Sequence, residues 1–151
     1  MDTEHLKKLL DSCFLAKRIV ETLPKLPEHM KPRHIHVLSV VHELQGSECP
    51  ESGCRVSDVS TRLEITMPSV TKLVGELQQL GMLEKTGDVA DGRVIRLRLT
   101  QEGTDCVERY VLRLHRAWAE EMKDITNEQA EDVIRILSQL RETTGSKKTW
   151  I

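Results

Sequence analysis

The stretch that decides the fold is Glu64-Ile65-Thr66-Met67-Pro68-Ser69-Val70-Thr71-Lys72-Leu73-Val74, running on through Leu77 and Leu80 to Gly81. Thr66 is a good N-cap and Pro68 suits a first turn, where a missing N–H costs nothing. Val70, Leu73, Val74, Leu77 and Leu80 recur at helical spacing, and Gly81 stands where a left-handed C-terminal residue is wanted. A second short helix precedes it, with Ser57 as its expected cap and Val59 and Leu63 turned inward. Only Glu64-Ile65-Thr66 separates the two, the turn length of a helix-turn-helix.

Downstream, the period changes from helical to alternating. Leu83 to Lys85 reads as a short strand and Thr86 to Gly92 as a turn-rich tip. In Val94-Ile95-Arg96-Leu97-Arg98-Leu99 apolar and basic residues alternate over the second half, as in a half-exposed strand. A β-hairpin placed directly after a helix-turn-helix makes a winged helix.

Upstream, Pro32 opens a helix carrying Ile35, Val37, Leu38, Val40, Val41 and Leu44, apolar on most sides and therefore expected to be central and buried. The run from Gly46 to Cys54 reads as a loop. At the chain's two ends lie amphipathic helices. The first runs from about Thr3 to Leu23 and stops before Pro24 and Pro27. Thr100 caps another, with Val107, Val111, Leu114, Trp118 and Met122 on one stripe. Thr126-Asn127-Glu128-Gln129 is a capping box opening the last, which ends at Gly145. The winged helix needs none of these three stripes, so they must bury against something, and a second copy of the chain is the simplest partner.

The expected fold is thus mainly α: a winged helix-turn-helix with a two-stranded β-wing and long N- and C-terminal dimerisation helices. We read residues 1–151 as one domain. About 32–100 form the DNA-binding part, and about 1–24 and 101–145 the dimerisation helices.

Composition agrees with a globular protein: 151 residues, 38% hydrophobic and 30% charged, with one Phe, one Tyr and two Trp. Leu, Val and Ile must therefore build the core. A net charge of -2, from 22 basic and 24 acidic residues, neither favours nor opposes nucleic acid, because a basic footprint can occupy one face. No apolar run reaches the length of a membrane span and Met1 to Leu10 has no signal-peptide core, so a cytoplasmic protein is expected. In a reducing compartment Cys13, Cys49, Cys54 and Cys106 are expected as free thiols. No catalytic constellation and no phosphate-binding glycine loop is present, which speaks against an enzyme. No cofactor is expected.

On the second helix of the helix-turn-helix, the inward face belongs to Val70, Leu73 and Val74. Ser69, Thr71 and Lys72 then point outward, where short hydroxyls reach base edges and a lysine reaches phosphate or guanine. The plain alternative is a solvated outer face with a good cap. At the wing, Asp88-Val89-Ala90-Asp91-Gly92-Arg93 is followed by Arg96 and Arg98. An arginine at a hairpin tip fits the electronegative minor groove, with Asp91 able to hold Arg93 extended.

Val56-Ser57-Asp58-Val59, Thr66 to Val74, Leu80-Gly81-Met82-Leu83, and Asp91-Gly92-Arg93 leading into Leu97-Arg98-Leu99-Thr100-Gln101-Glu102-Gly103 together resemble the MarR family. The resemblance implies a homodimer on double-stranded DNA at a pseudo-palindromic operator, acting mostly as a repressor released by a small ligand, an oxidant or a metal. It implies a DNA-reading set of Thr66, Pro68, Ser69, Thr71 and Lys72 on the helix and Asp91, Arg93 and Arg96 at the wing. It also implies an effector site near the dimer axis. One departure stands out: the family's wing usually reads Asp-Arg-Arg, and here Gly92 holds the middle place.

Cys49 and Cys54, four residues apart, admit three readings: a disulfide switch, part of a metal site with His34, His36 or His42, or two incidental loop cysteines. The last is the plainest. Cys13 matches the first-helix position of peroxide-sensing relatives. Those rely on second-helix tyrosines, however, and the only Tyr here is Tyr110. The helix after Thr100 offers Cys106 and His115 where zinc-sensing relatives have two histidines, so no metal is expected. A winged helix used only for protein contacts is the remaining alternative, one with no reason to gather Lys72, Arg93, Arg96 and Arg98 on one side.

Overall fold

A computed structural model describes residues 1–20, 24–48, 53–87 and 94–145. In chain order the elements are α1 (Thr3–Val20), α2 (Pro32–Glu48), β1 (Cys54–Arg55), α3 (Val56–Leu63), α4 (Met67–Gln79), β2 (Leu83–Gly87), β3 (Ile95–Leu99), α5 (Gln101–Val107), a π turn (Glu108–Leu112), α6 (Arg113–Glu121) and α7 (Asn127–Gly145). They gather into two compact units, Met1–Leu114 and His115–Ile151.

The core of the first unit is aliphatic and centres on α2. Ile35, Val37, Leu38, Val40 and Val41 are all buried, as a helix apolar on most sides requires. Around it close Val59 of α3, Val70, Val74 and Leu77 of α4, Leu83 and Leu97 of the sheet, and Cys106, Val107 and Val111 beyond. Val70, Val74 and Leu77 follow the i, i+4, i+7 spacing that defines one helical face, and each is fully buried.

The short turn between α3 and α4 forms as the sequence requires. Glu64 takes a left-handed conformation (φ 54°), its N–H turning back to the carbonyls of Ser60 and Thr61. Thr66 caps α4, and Gly81 ends the following turn at φ 71°. Thr100 caps α5 through Gly103 N–H at 3.1 Å. At α7 Thr126 and Gln129 make the reciprocal capping pair, with Gln129 N–H to Thr126 Oγ1 at 3.2 Å and Thr126 N–H to Gln129 Oε1 at 2.9 Å.

Four local expectations are corrected. The wing has the two expected strands, β2 and β3, but an unexpected third joins the sheet in the order β1-β3-β2, with Cys54 opposite Leu97 and Arg55 opposite Arg96. The loop expected over Gly46–Cys54 therefore does not extend over its full length: α2 continues to Glu48, and Cys54 belongs to a strand. Gly53 makes this pairing possible. It sits at φ 64°, and a Cβ there would lie 2.5 Å from the Leu97 carbonyl oxygen. The cap of α3 is Arg55 rather than Ser57; its backbone N–H donates to the Asp58 carboxylate at 3.2 Å. Finally, the helix after Thr100 is interrupted by the π turn at Glu108–Leu112. The four-residue spacing of Val107 and Val111 fits an unbroken helix equally well, so periodicity held no sign of it.

Along α1, Leu6, Leu9 and Cys13 are half-buried while Phe14, Leu15 and Ile19 are exposed. In the second unit α6 buries no residue, and Val133, Ile134, Ile136 and Leu137 of α7 are exposed. No helix among the described residues is long and apolar enough to cross a membrane.

Candidate nucleic-acid interface

The outer side of α4 is built by the same periodicity that builds its inner side. With Val70, Val74 and Leu77 buried, Lys72 falls nearly opposite them and is exposed. Pro68, Ser69 and Thr71 are exposed with it, as is the cap Thr66. The Thr66 hydroxyl lies 2.9 Å from that of Ser69 and accepts the Ser69 N–H at 3.4 Å. The cap thereby orders the first turn of the outward face. One helix thus brings together all five of its expected DNA-reading residues.

The two flanks of α4 differ. Toward the wing, Met67, Thr71 and Val74 border a cavity of about 330 Å³ shared with Arg55 and Val56 at the start of α3, and with Lys85, Val94 and Ile95 of the hairpin. On the opposite flank Ser69, Lys72, Leu73 and Glu76 border a larger recess of about 640 Å³. Its other walls are Lys31, Arg33 and His36 at the start of α2, with Leu63 at the end of α3 and Ile65 of the turn as apolar lining.

Behind that recess lies a contact that sequence reading missed. His34 is 1% exposed, and its Nε2 lies 2.7 Å from Glu76 Oε2, joining residues 42 apart in sequence. The Lys31 backbone N–H donates to His34 Nδ1 at 3.2 Å, so Nδ1 is the acceptor and Nε2–H donates to the carboxylate. The hydrogen bond from His34 holds the Glu76 carboxyl below its ordinary value of 4.5, with Lys31 Nζ at 3.6 Å and Lys72 adding in the same direction. This clasp ties the last turn of α4 to the first turn of α2. No local pattern marks it, because a buried histidine and a helical glutamate carry no shared signature.

At the wing, Arg96 is half-buried and its Nη1 donates to the Gly53 carbonyl at 3.2 Å, across the β1–β3 edge. Arg98 pairs with Glu84, its strand partner, at 3.8 Å. Asp91 and Arg93 lie outside the described residues, as does Cys49. Cys54 is not in a surface loop; it is 5% exposed within the sheet. Burial, reinforced by the Asp58 carboxylate, pushes its thiol up to about 11, away from the thiolate form that reacts with oxidants and metals. Cys13 is half-buried on α1, and Cys106 is buried in the core. Burial likewise raises the Cys106 thiol. Among the described residues no group of three or more His, Cys, Asp or Glu is placed to hold a metal ion.

The sequence model of the MarR family matches residues 30–94, which run from just before α2 to the residue preceding β3 and include the whole of α4. Over that stretch the chain is similar to the MarR family. MdtR of Bacillus subtilis, a transcriptional repressor, is 30% identical over 92 residues, 59% of this chain and 59% of its own. BilQ of Clostridioides difficile, a transcriptional regulator, is 35% identical over 52 residues, 34% of this chain and 35% of its own. The chain thus matches between 35% and 59% of the length of these relatives. Among solved structures, the fold recurs in FabT of Streptococcus pneumoniae, determined in complex with DNA. That likeness has a TM-score of 0.70 at 21% identity, over 96% of this chain and 99% of FabT. PcaV of Streptomyces coelicolor, determined with its natural ligand, gives 0.63 at 20% identity, over 95% and 94%. The likeness to these two is one of fold.

Proposed function

We propose that this protein is a sequence-specific transcriptional regulator that binds a pseudo-palindromic operator as a homodimer and represses until a small ligand releases it. The observation that carries this reading is the exposed polar side of α4, with its capped first turn, set on a helix-turn-helix and flanked by a hairpin. Thr66, Pro68, Ser69, Thr71 and Lys72 meet the major groove, the lysine reaching phosphate or guanine. Asp91, Arg93 and Arg96 serve at the wing, with Arg93 in the minor groove. Arg96 acts from the tip-ward end of β3, opposite Thr86, where its bond to Gly53 braces the hairpin.

Two copies must place their α4 helices about one DNA turn apart, roughly 34 Å. The unburied stripes of α1 and α7 are the surfaces by which two copies would join, so residues 1–151 act as one functional domain. A ligand near the dimer axis that favours another spacing releases the operator. The naming of MdtR as a repressor, and the determination of FabT with DNA and PcaV with its ligand, support each part of this reading for those proteins.

The test is selection from a random DNA library with wild type and Arg93→Ala at one salt concentration. Enrichment of a pseudo-palindrome, weakened in the variant, is the expected result. Weak binding with no sequence preference would overturn the reading.

A further inference from the structure

We propose that Lys31, Arg33 and His36 at the start of α2, together with Lys72 of α4, form a cradle for DNA backbone phosphates on the side of α4 away from the wing. The inference rests on the DNA-binding reading above and adds to it a second, sequence-independent anchor that the sequence analysis did not identify.

The major groove of B-DNA is about 12 Å wide, and an α-helix with its side chains is about 10–12 Å across. A helix lying in that groove therefore brings the elements on each of its flanks against one of the two phosphate strands. On one flank of α4 stands the hairpin. On the other stands the first turn of α2, across the recess that Ser69 and Lys72 also border.

The charge of that recess fits phosphate. Four basic side chains border it, against one carboxylate, Glu76. That carboxylate is already engaged by His34 at 2.7 Å and Lys31 at 3.6 Å, which offsets its repulsion of an incoming anion. In a chain whose formal net charge is -2, such a gathering is a local feature and not the general tone of the surface. Arg33 and His36 are exposed donors, and a guanidinium matches two phosphate oxygens at once. The His34–Glu76 clasp holds the two walls of the recess, α2 and α4, in register, so a helix seated in the groove carries the cradle to the strand beside it.

The probe is a fluorescent operator duplex taken from the library selection and a scrambled duplex of equal length. Binding to both is followed over a range of salt concentrations for wild type, Arg33→Gln and Arg33→Lys, with folding checked by circular dichroism. Loss of one phosphate contact lowers the slope of log K against log salt by about one. Arg33→Gln is expected to show that drop on both duplexes, leaving the ratio of operator to scrambled binding unchanged, and Arg33→Lys is expected to restore the slope. An unchanged slope in Arg33→Gln, or a loss confined to the operator, overturns the cradle. If Arg33→Gln does not fold, Lys31→Gln is read by the same criterion. Should wild type fail to distinguish the two duplexes while the slope still falls, the cradle stands and the specific-regulator reading fails. Absence of binding to either duplex overturns both.

Discussion

The two kinds of helix in this molecule differ in what they bury. α2, α3 and α4 with the small sheet enclose an aliphatic core in which Val37, Leu38, Val41, Val59, Val70, Val74 and Leu77 are all fully buried. α1, α6 and α7 are no less regular, and no residue described in them is buried. Their apolar stripes lie open instead: Phe14 is 73% exposed and Ile134 55%. The first group satisfies itself within one chain. The second has the amphipathic pattern of a packed helix with the packing left undone, and apolar area left in water is what drives association.

The sharpest way to break this contrast is to cut into each side of it. Leu38→Ala removes a large side chain from the closed core and is expected to cost about 2–5 kcal/mol, read as a lowered urea midpoint. A cost no greater than that of an ordinary surface change would mean that the core is not the source of stability.

On the open side, Phe14→Asp combined with Ile134→Asp should leave the winged helix folded. The same double variant should convert a dimer to a monomer by light scattering. Operator affinity should then fall by about 100-fold or more, since two linked half-site contacts become independent ones. A wild-type monomer in solution, or an unchanged dimer in the double variant, would remove these stripes from the dimer proposal.

The smallest effect concerns the clasp between α2 and α4. The Glu76 carboxyl is held below its ordinary value of 4.5, chiefly by the hydrogen bond from His34. A carboxylate depressed in the folded state adds stability at pH values above its unfolded pKa. That contribution is lost as pH falls through the lower folded value. Glu76→Gln should therefore be less stable than wild type at neutral pH and should lose less of its stability on acidification below the ordinary glutamate range. Urea midpoints measured across the acid range check this, and parallel curves for the two proteins would show that the clasp contributes nothing through charge.

Much of the frame was legible because it rests on local chemistry. Thr66, Gly81, Thr100 and the Thr126–Gln129 pair each act within one turn of chain, and the structure places all of them as the sequence implies. The exposed set on α4 was legible for the same reason, since helical periodicity alone separates Lys72 from Val70. What reading the chain could not reach involves partners distant in sequence. Cys54 looks like a loop residue among Gly, Pro and Ser, and it becomes a strand residue only because the free edge of β3, more than 40 residues later in the chain, lies beside it. The same long-range pairing buries its thiol and raises it to about 11, which no spacing of cysteines could announce. Arg96 reads as a free cation in an alternating strand, yet the turn at Gly53 claims its guanidinium.

By itself, the sequence determined where most helices lie, the caps at Thr66, Thr100 and Thr126, the buried face of α4 and its polar opposite, and the MarR resemblance. These follow from periods and capping rules that act over a few residues. Only the tertiary structure decided the third strand, the clasp of His34 on Glu76, and the meeting of Lys31, Arg33 and His36 with Lys72 across one recess. Each of these joins chain segments about 40 residues apart. Chain closure over such distances is set by the whole core that packs around α2, and not by any window of sequence.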